Sequence, residues 1–278
     1  MPNSPTAPRI VSILGCGWLG LPLLRALVAT GHQVRGSSRN PETLGEIEAA
    51  GGTAFFIDLP GELPPAFLMD CQTLIITLPP RGRALGENAL PHYLKCLSTL
   101  SPWLNDTNGA HRVIFCSSTG VYGDIEGVIS ESEVLNPNTT SAGAVAAAEH
   151  FLNDCYAGND ILRLAGLAGP GRHPGRFYGG RDRKIPQADA PVNLVHLDDV
   201  IAAIKIVLEQ NDPDVYNVCS AAHPTKGTFY TAASKSLGLE VAGIDPGGGD
   251  GKRIDSSKLR SLGWLPAWDD LALEYLLD

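Results

Sequence analysis

The chain is short of positive charge: 21 lysines and arginines stand against 30 aspartates and glutamates, a formal net charge of −9. A surface of that sign repels phosphate backbones and anionic bilayers, so general nucleic-acid or membrane-surface binding is disfavoured. Long apolar runs are also lacking; the first is broken by Gly15, Gly17 and Gly20, too soon for a membrane span. The stretch from Met1 to Arg9 holds no basic segment followed by an apolar one, so no signal peptide is expected there. Six cysteines (Cys16, Cys71, Cys96, Cys116, Cys155 and Cys219) include no Cys-x-x-Cys pair and no zinc-ligand spacing. Reduced thiols, a cytoplasmic setting and no metal are therefore expected. No long charge block occurs, and 44% of residues are hydrophobic, which rules out a disordered chain.

What is present alternates. Short apolar runs over residues 9–14, 32–36, 53–57, 73–78, 112–116 and 160–164 read as buried strands, with helical patterns over 18–30 and 142–155. Strand–helix alternation of this kind predicts an α/β fold with a doubly wound parallel sheet, whose ligands bind beyond the carboxyl ends of the strands. After residue 164 the rhythm loosens into Gly- and Pro-rich turns, helices over 198–210 and 228–237, and a strand over 215–218. The Gly-rich loop 245–251 reads as the most mobile stretch. One boundary is expected, between a dinucleotide-binding domain over 1–165 and a mixed segment over 166–278 that completes the sheet and forms a smaller substrate lobe.

Gly15-Cys16-Gly17-Trp18-Leu19-Gly20 follows the first strand and opens a helix. In that context the glycines serve a tight turn, a close approach of backbone to a pyrophosphate, and close packing of helix on strand. An NAD site usually carries an acidic residue near the end of the second strand. Here no acidic residue precedes Glu42, and Arg35-Gly36-Ser37-Ser38-Arg39 offers hydroxyls and guanidinium groups instead. NADP is accordingly favoured over NAD. Ser117-Ser118-Thr119-Gly120-Val121-Tyr122-Gly123 places hydroxyls at the end of the fifth strand, where a nicotinamide would lie.

These motifs, with Leu162-Arg163, Gly169-Pro170-Gly171, Val195-His196-Leu197-Asp198-Asp199, Val215-Tyr216-Asn217 and the run from Asp255 to Trp264, resemble the extended short-chain dehydrogenase/reductase superfamily. More narrowly the chain is similar to the NAD(P)-dependent epimerase/dehydratase family in its atypical, YeeZ-type branch. The resemblance implies a Rossmann-like domain with a small C-terminal substrate lobe, and substrates that include nucleotide-linked sugars. It also implies a homodimer paired through two helices, and cofactor contacts from Asp58, Leu78, Pro79 and Ser117. The serine of the family's active site matches Ser118. Its Tyr-x-x-x-Lys pair, in which the tyrosine exchanges a proton and the lysine lowers its pKa, is missing. Ser141 and Val145 occupy those positions, and no tyrosine or lysine occurs between Gly123 and Cys155.

Tyr122 and His196 are the groups considered for the missing acid. Tyr122 enters the catalytic set with Ser118, and His196 the substrate-binding set. The loop from Gly171 to Lys184 carries five basic residues against one acid, so Arg172, His173 and Arg176 are read as holding an anionic substrate group. Phe177 and Tyr178 are expected to stack on a base or sugar. The function read from all this is an epimerase/dehydratase-like or reductase-like protein with an atypical active site; the alternative is a catalytically inactive NADP-binding sensor or scaffold.

Overall fold

The computed structural model describes residues 8–104 and 109–276. Its strands run in chain order β1 (Ile10–Leu14), β2 (Gln33–Ser38), β3 (Thr53–Phe56), β4 (Thr73–Ile76), β5 (Val113–Ser118), β6 (Val128–Ile129), β7 (Asn159–Leu164), β8 (Gly166–Ala168), β9 (Leu194–His196), β10 (Val215–Val218) and β11 (Arg253–Ile254). Seven of them form one sheet in the order β10-β7-β5-β4-β1-β2-β3. β1 pairs in parallel with β2 on one side and β4 on the other. The winding reverses between β1 and β4, which is where a doubly wound sheet opens its ligand crevice. The expected fold class is the one observed.

The sequence explains these elements locally. Every residue of β4 and β7 is buried; in β4 this is what a mostly apolar run in a parallel sheet should show, while β7 also buries Asn159, Asp160 and Arg163. Asn40 caps the helix Pro41–Ala49 by accepting from the Glu42 N–H, with proline at the first turn. Thr139 caps Thr140–Cys155 and Thr225 caps Lys226–Ser236 in the same way. The helix Ala89–Ser98 carries Pro91 in its first turn, where a missing N–H costs nothing, so proline there does not signal a break.

Two compact units result. The first comprises Met1–Ser117, Thr139–Leu162 and Val207–Asp214; the second comprises Ser118–Asn138, Arg163–Ile206 and Val215–Asp278. The division is discontinuous, where the sequence suggested one boundary at residue 165. In the second unit β6 pairs in parallel with β11, and β8 with β9. A cluster including Ile185, Leu194, Phe229, Tyr230 and Trp268 forms a core there.

The loop 245–251 departs from expectation. It is docked: the Asp245 and Gly247 carbonyls accept from the Ala188 and Asp189 N–H groups at 2.8 and 3.0 Å. The Asp189 carboxylate in turn accepts from the Gly247 N–H at 2.7 Å. The cysteines are free thiols, and burial pushes Cys16, Cys116 and Cys219 up to about 12, so they are poor nucleophiles. Among the described residues no helix is long and apolar enough to cross a membrane, and no cluster of metal-binding side chains occurs.

Candidate functional site

The turn after β1 is built within the first unit. Gly15 has φ +103°, a conformation glycine adopts without strain. Its N–H donates to Ser37 Oγ at 2.9 Å, and its carbonyl accepts from the Thr77 hydroxyl at 2.6 Å. A Cβ on Gly20 would stand 2.4 Å from the Gly15 carbonyl oxygen, so packing alone demands that glycine. Gly17 differs. It is exposed, its φ is not left-handed, and a Cβ there would meet nothing within 4 Å. The fold makes no use of its bareness, whereas a ligand approaching the backbone would. The helix Gly20–Ala29 has no side-chain cap at Leu19 and no acidic residue in its first turn. No side chain therefore competes for the helix N-terminus, although the Gly17 and Leu21 N–H groups already donate to the Gly15 and Gly17 carbonyls at 2.8 and 3.1 Å; the dipole fits the phosphates of a dinucleotide. Trp18 is half-buried and Leu19 buried beside them.

The end of β2 sorts the remaining candidates. Ser37 is buried and accepts from Gly15, so it shapes the glycine turn instead of touching a ribose. Ser38 accepts from the Asn40 N–H at 3.1 Å. Arg35 donates to the Phe67 and Met69 carbonyls at 3.3 and 2.6 Å, which commits it to the end of the short helix Pro65–Leu68. Arg39 is exposed and pairs with the exposed Asp58 at 3.2 Å, a contact of little energy that a phosphate could displace. The Leu78 carbonyl accepts from the Tyr93 hydroxyl at 2.7 Å and so is already occupied, while Pro79 is exposed. Ser117, expected at the cofactor, is buried and donates its hydroxyl to Glu149 inside the protein.

The turn after β5 belongs to the second unit. Half-buried Ser118 accepts from the Gly120 N–H at 3.1 Å. Tyr122 is 0% exposed. Its hydroxyl donates to Asn217 Oδ1 at 2.8 Å and accepts from Arg163 Nη1 at 2.9 Å, with the Arg163 guanidinium 5.0 Å from the ring centre. Burial raises the Tyr122 pKa; the Arg163 hydrogen bond and charge oppose it. The Asn217 amide continues to the Ile129 and Asp255 carbonyls at 3.2 and 3.0 Å. Buried and bonded on both sides, the Tyr122 hydroxyl stands as a framework group in this network. Across the same turn Lys252 Nζ donates to the Thr119 and Gly123 carbonyls at 3.2 and 2.8 Å. Sequence reasoning missed Lys252, because nothing local in Gly251-Lys252-Arg253 marks it.

The basic loop is tied down more than expected. Phe177 and Tyr178 pack on Tyr230 with centroids 5.9 and 5.0 Å away, so these rings serve the core and not a base. Arg183 lies 4.5 Å over the Tyr178 ring, and Lys184 pairs with Asp245 at 2.8 Å. Arg172 and Arg176 are exposed. His173 is buried; its Nδ1 accepts from the Gly175 N–H at 3.0 Å, so the neutral ring carries its proton on Nε2. That Nε2 has no partner among the described residues. Burial, then the Arg176 charge, lowers the His173 pKa. His196 is buried edge-on against Trp268 and Tyr275, and its Nδ1 accepts from the Asp198 N–H at 3.2 Å. Burial lowers its pKa, against the pull of Asp198 and Asp199. His196 is thus packed among these rings with its Nδ1 engaged by Asp198.

The model of the NAD dependent epimerase/dehydratase family matches residues 97–219. Over 263 residues the chain is 39% identical to Protein YeeZ of Escherichia coli strain K12, covering 90% of this chain and 92% of that one. A UDP-glucuronic acid 4-epimerase from Bacillus cereus, solved with UDP-glucuronic acid and NAD, superposes with a TM-score of 0.75 at 18% identity, over 96% of each chain. A conserved protein of unknown function from Silicibacter pomeroyi gives a TM-score of 0.73 at 23% identity, over 96% of this chain and 98% of that one. At those identities the two structures are alike in fold.

Proposed function

The chain belongs to the NAD dependent epimerase/dehydratase family, and from that premise we propose that it binds NADP in preference to NAD and acts on a small anionic substrate, with nucleotide-linked sugars the leading class. The observation that carries the binding half is the bare space at Gly17 beside a helix N-terminus without a side-chain cap. Gly15, Gly17 and the first turn of the helix Gly20–Ala29 would hold the phosphates. Arg39 would meet a 2′-phosphate as a charge-assisted donor. When bound, the nicotinamide supplies hydride transfer.

In this reading Ser118 holds the reacting oxygen of the substrate. Arg172, Arg176 and the Nε2–H of His173 hold its anionic group, since an unpartnered buried donor gains most from a ligand acceptor. The nucleotide-sugar class follows from the family and from the ligand of the Bacillus cereus epimerase. Residues up to 165 supply the cofactor side together with Ser118, and later ones supply the rest of the substrate side. A cytoplasmic homodimer completes the proposal.

Titration calorimetry with NADPH and NADH tests it, followed by product analysis over a panel of sugar nucleotides with the cofactor present. Tight NADPH binding and turnover of a panel member support the reading; binding of neither dinucleotide overturns it. A second reading, a dinucleotide-binding sensor without catalysis, is favoured by the closed network around Tyr122, which leaves no tyrosine to exchange a proton. Ser118→Ala separates the two: it abolishes product formation in the first and changes only ligand affinity in the second.

A further inference from the structure

The glycine turn after β1 has a neighbour in the first unit, the segment after β4, which carries a cation that the site described above does not use. Leu78 lies against Gly15: a Cβ on that glycine would stand 3.1 Å from the Leu78 side chain and 3.3 Å from its backbone nitrogen. The Tyr93 hydroxyl, on the helix Ala89–Ser98, holds the Leu78 carbonyl at 2.7 Å. Further along the segment Arg81 has φ +56°, the left-handed region that is costly for a residue with a side chain. The backbone is pinned in that state. The Arg81 carbonyl accepts from the Ala84 and Leu85 N–H groups at 2.9 and 3.0 Å. A Cβ on Gly82 would stand 2.0 Å from Ser141 Oγ on the helix Thr140–Cys155, so the segment is closed on that helix. Glycine would adopt the Arg81 conformation without strain. An arginine stands there instead, exposed, with no ion pair or side-chain hydrogen bond among the described residues.

Arg81 shares its surroundings with the residues already placed at the adenosine end. Burial raises the pKa of the Cys96 thiol, and the charges that act on it are those of Arg81, Asp58, Arg39 and Lys95, in falling order. Cys96 lies on the same helix as Tyr93. One buried thiol therefore has the residues after β2, β3 and β4 gathered about it, all within the first unit. Arg39 and Asp58 pair at 3.2 Å and together carry no net charge. A phosphate monoester brings about two negative charges to such a place. Arg39 alone would meet it with the Asp58 carboxylate opposing; Arg81 makes the balance positive.

We propose that Arg81 is a specificity-determining residue: with Arg39 it holds the 2′-phosphate of NADP, one guanidinium from the β2 side and one from the β4 side. The inference rests on the reading above that the turn after β1 binds a dinucleotide with this phosphate. A guanidinium forks onto two phosphate oxygens, and two guanidiniums can share the three free oxygens of a monoester. Arg39 is released for this by giving up an exposed ion pair of little energy. Arg81 has no partner to give up. Its left-handed backbone is then kept for what the side chain reaches, since glycine would relieve the strain.

The test compares dissociation constants of NADPH and NADH by calorimetry for the wild type, Arg81→Gly, Arg81→Lys and Arg83→Ala. Arg81→Gly removes the side chain and suits the left-handed backbone, so no new strain opposes its folding. The expected result is that it weakens NADPH about tenfold, the scale of one charge-assisted contact, and leaves NADH unchanged. Arg81→Lys keeps the charge without the fork and falls between. Arg83→Ala removes an exposed arginine of the same segment and changes neither affinity. An unchanged NADPH affinity in Arg81→Gly overturns the proposal, and so does an equal loss of NADPH and NADH. An equal loss in Arg83→Ala shows a diffuse effect of charge and overturns it too. A wild type that binds neither dinucleotide, or both equally, removes the cofactor reading, and this inference with it.

Discussion

The turn after β1 and the turn after β5 both end a strand of the main sheet, and they are held by different means. The first is a matter of short contacts: Gly15 bonds to Ser37 on β2 and to Thr77 just past β4, and Gly20 is bare because its own turn leaves no room. The second is braced from afar. Arg163 and Asn217 fix Tyr122, and Lys252 ties Thr119 to Gly123. A turn of the first kind carries its purpose in its own residues. One of the second kind can change its chemistry through a substitution many positions away, which suits a family whose members share a fold and differ in reaction.

That comparison can be broken by substitution. The largest effect is expected from Gly20→Ala, which sets a Cβ 2.4 Å from a backbone oxygen. Overpacking of this kind costs about 1–3 kcal/mol, and dinucleotide binding should be lost with it; thermal unfolding and calorimetry read both. Tyr122→Phe comes next. It leaves Asn217 Oδ1 buried without its donor, at a cost of about 1–3 kcal/mol, read by denaturant unfolding. NADPH affinity should be untouched; a fall would mean that the hydroxyl reaches the ligand after all.

Arg39→Ala sharpens the account at the adenosine end. Losing one charge-assisted contact should weaken NADPH about tenfold and leave NADH unchanged. Equal weakening of both would place Arg39 on a part common to the two cofactors.

The smallest effect concerns pH. His173 and His196 have pKa values below the ordinary histidine range in the folded state. As pH falls below about 6.5, the unfolded chain binds protons that the folded one refuses, so stability declines until the lowered folded values are reached. The double variant His173→Gln, His196→Gln should show a flatter decline in unfolding temperature from neutral toward acid pH. The same slope in both proteins would contradict the assignment. Asp199, raised by burial, acts in the opposite sense, and because it and His196 feel each other's charge, His173→Gln alone gives the comparison free of that coupling.

Much of the first unit was legible because its signals are local. Unalternating apolar runs marked β1, β4 and β5, and the spacing Gly15, Gly17, Gly20 marked the turn. The helix Ala89–Ser98 was not anticipated, since Pro91 and the preceding Pro-Gly stretch look like loop. The two-residue strands β6 and β11 could not be read at all: their partners are distant in sequence, and neither has a pattern of its own. Side-chain roles divided along the same line. Ser37 and Ser117 have the right chemistry for ligand contacts, and only their neighbours reveal that their hydroxyls are engaged within the protein, as is the Nδ1 of His196. His173 drew attention for its basic loop; the buried, unpartnered Nε2 is a better reason, and only the structure supplies it.

The central claim is that the turn after β1 is shaped for a dinucleotide, and Gly17→Ala tests it most directly. Alanine meets no atom within 4 Å there and needs no left-handed backbone, so packing gives it no penalty. The account predicts that the unfolding temperature stays level or rises slightly, because alanine restricts the unfolded chain. It also predicts that NADPH affinity, measured side by side by calorimetry, collapses. A variant that binds NADPH as well as the wild type does would contradict it.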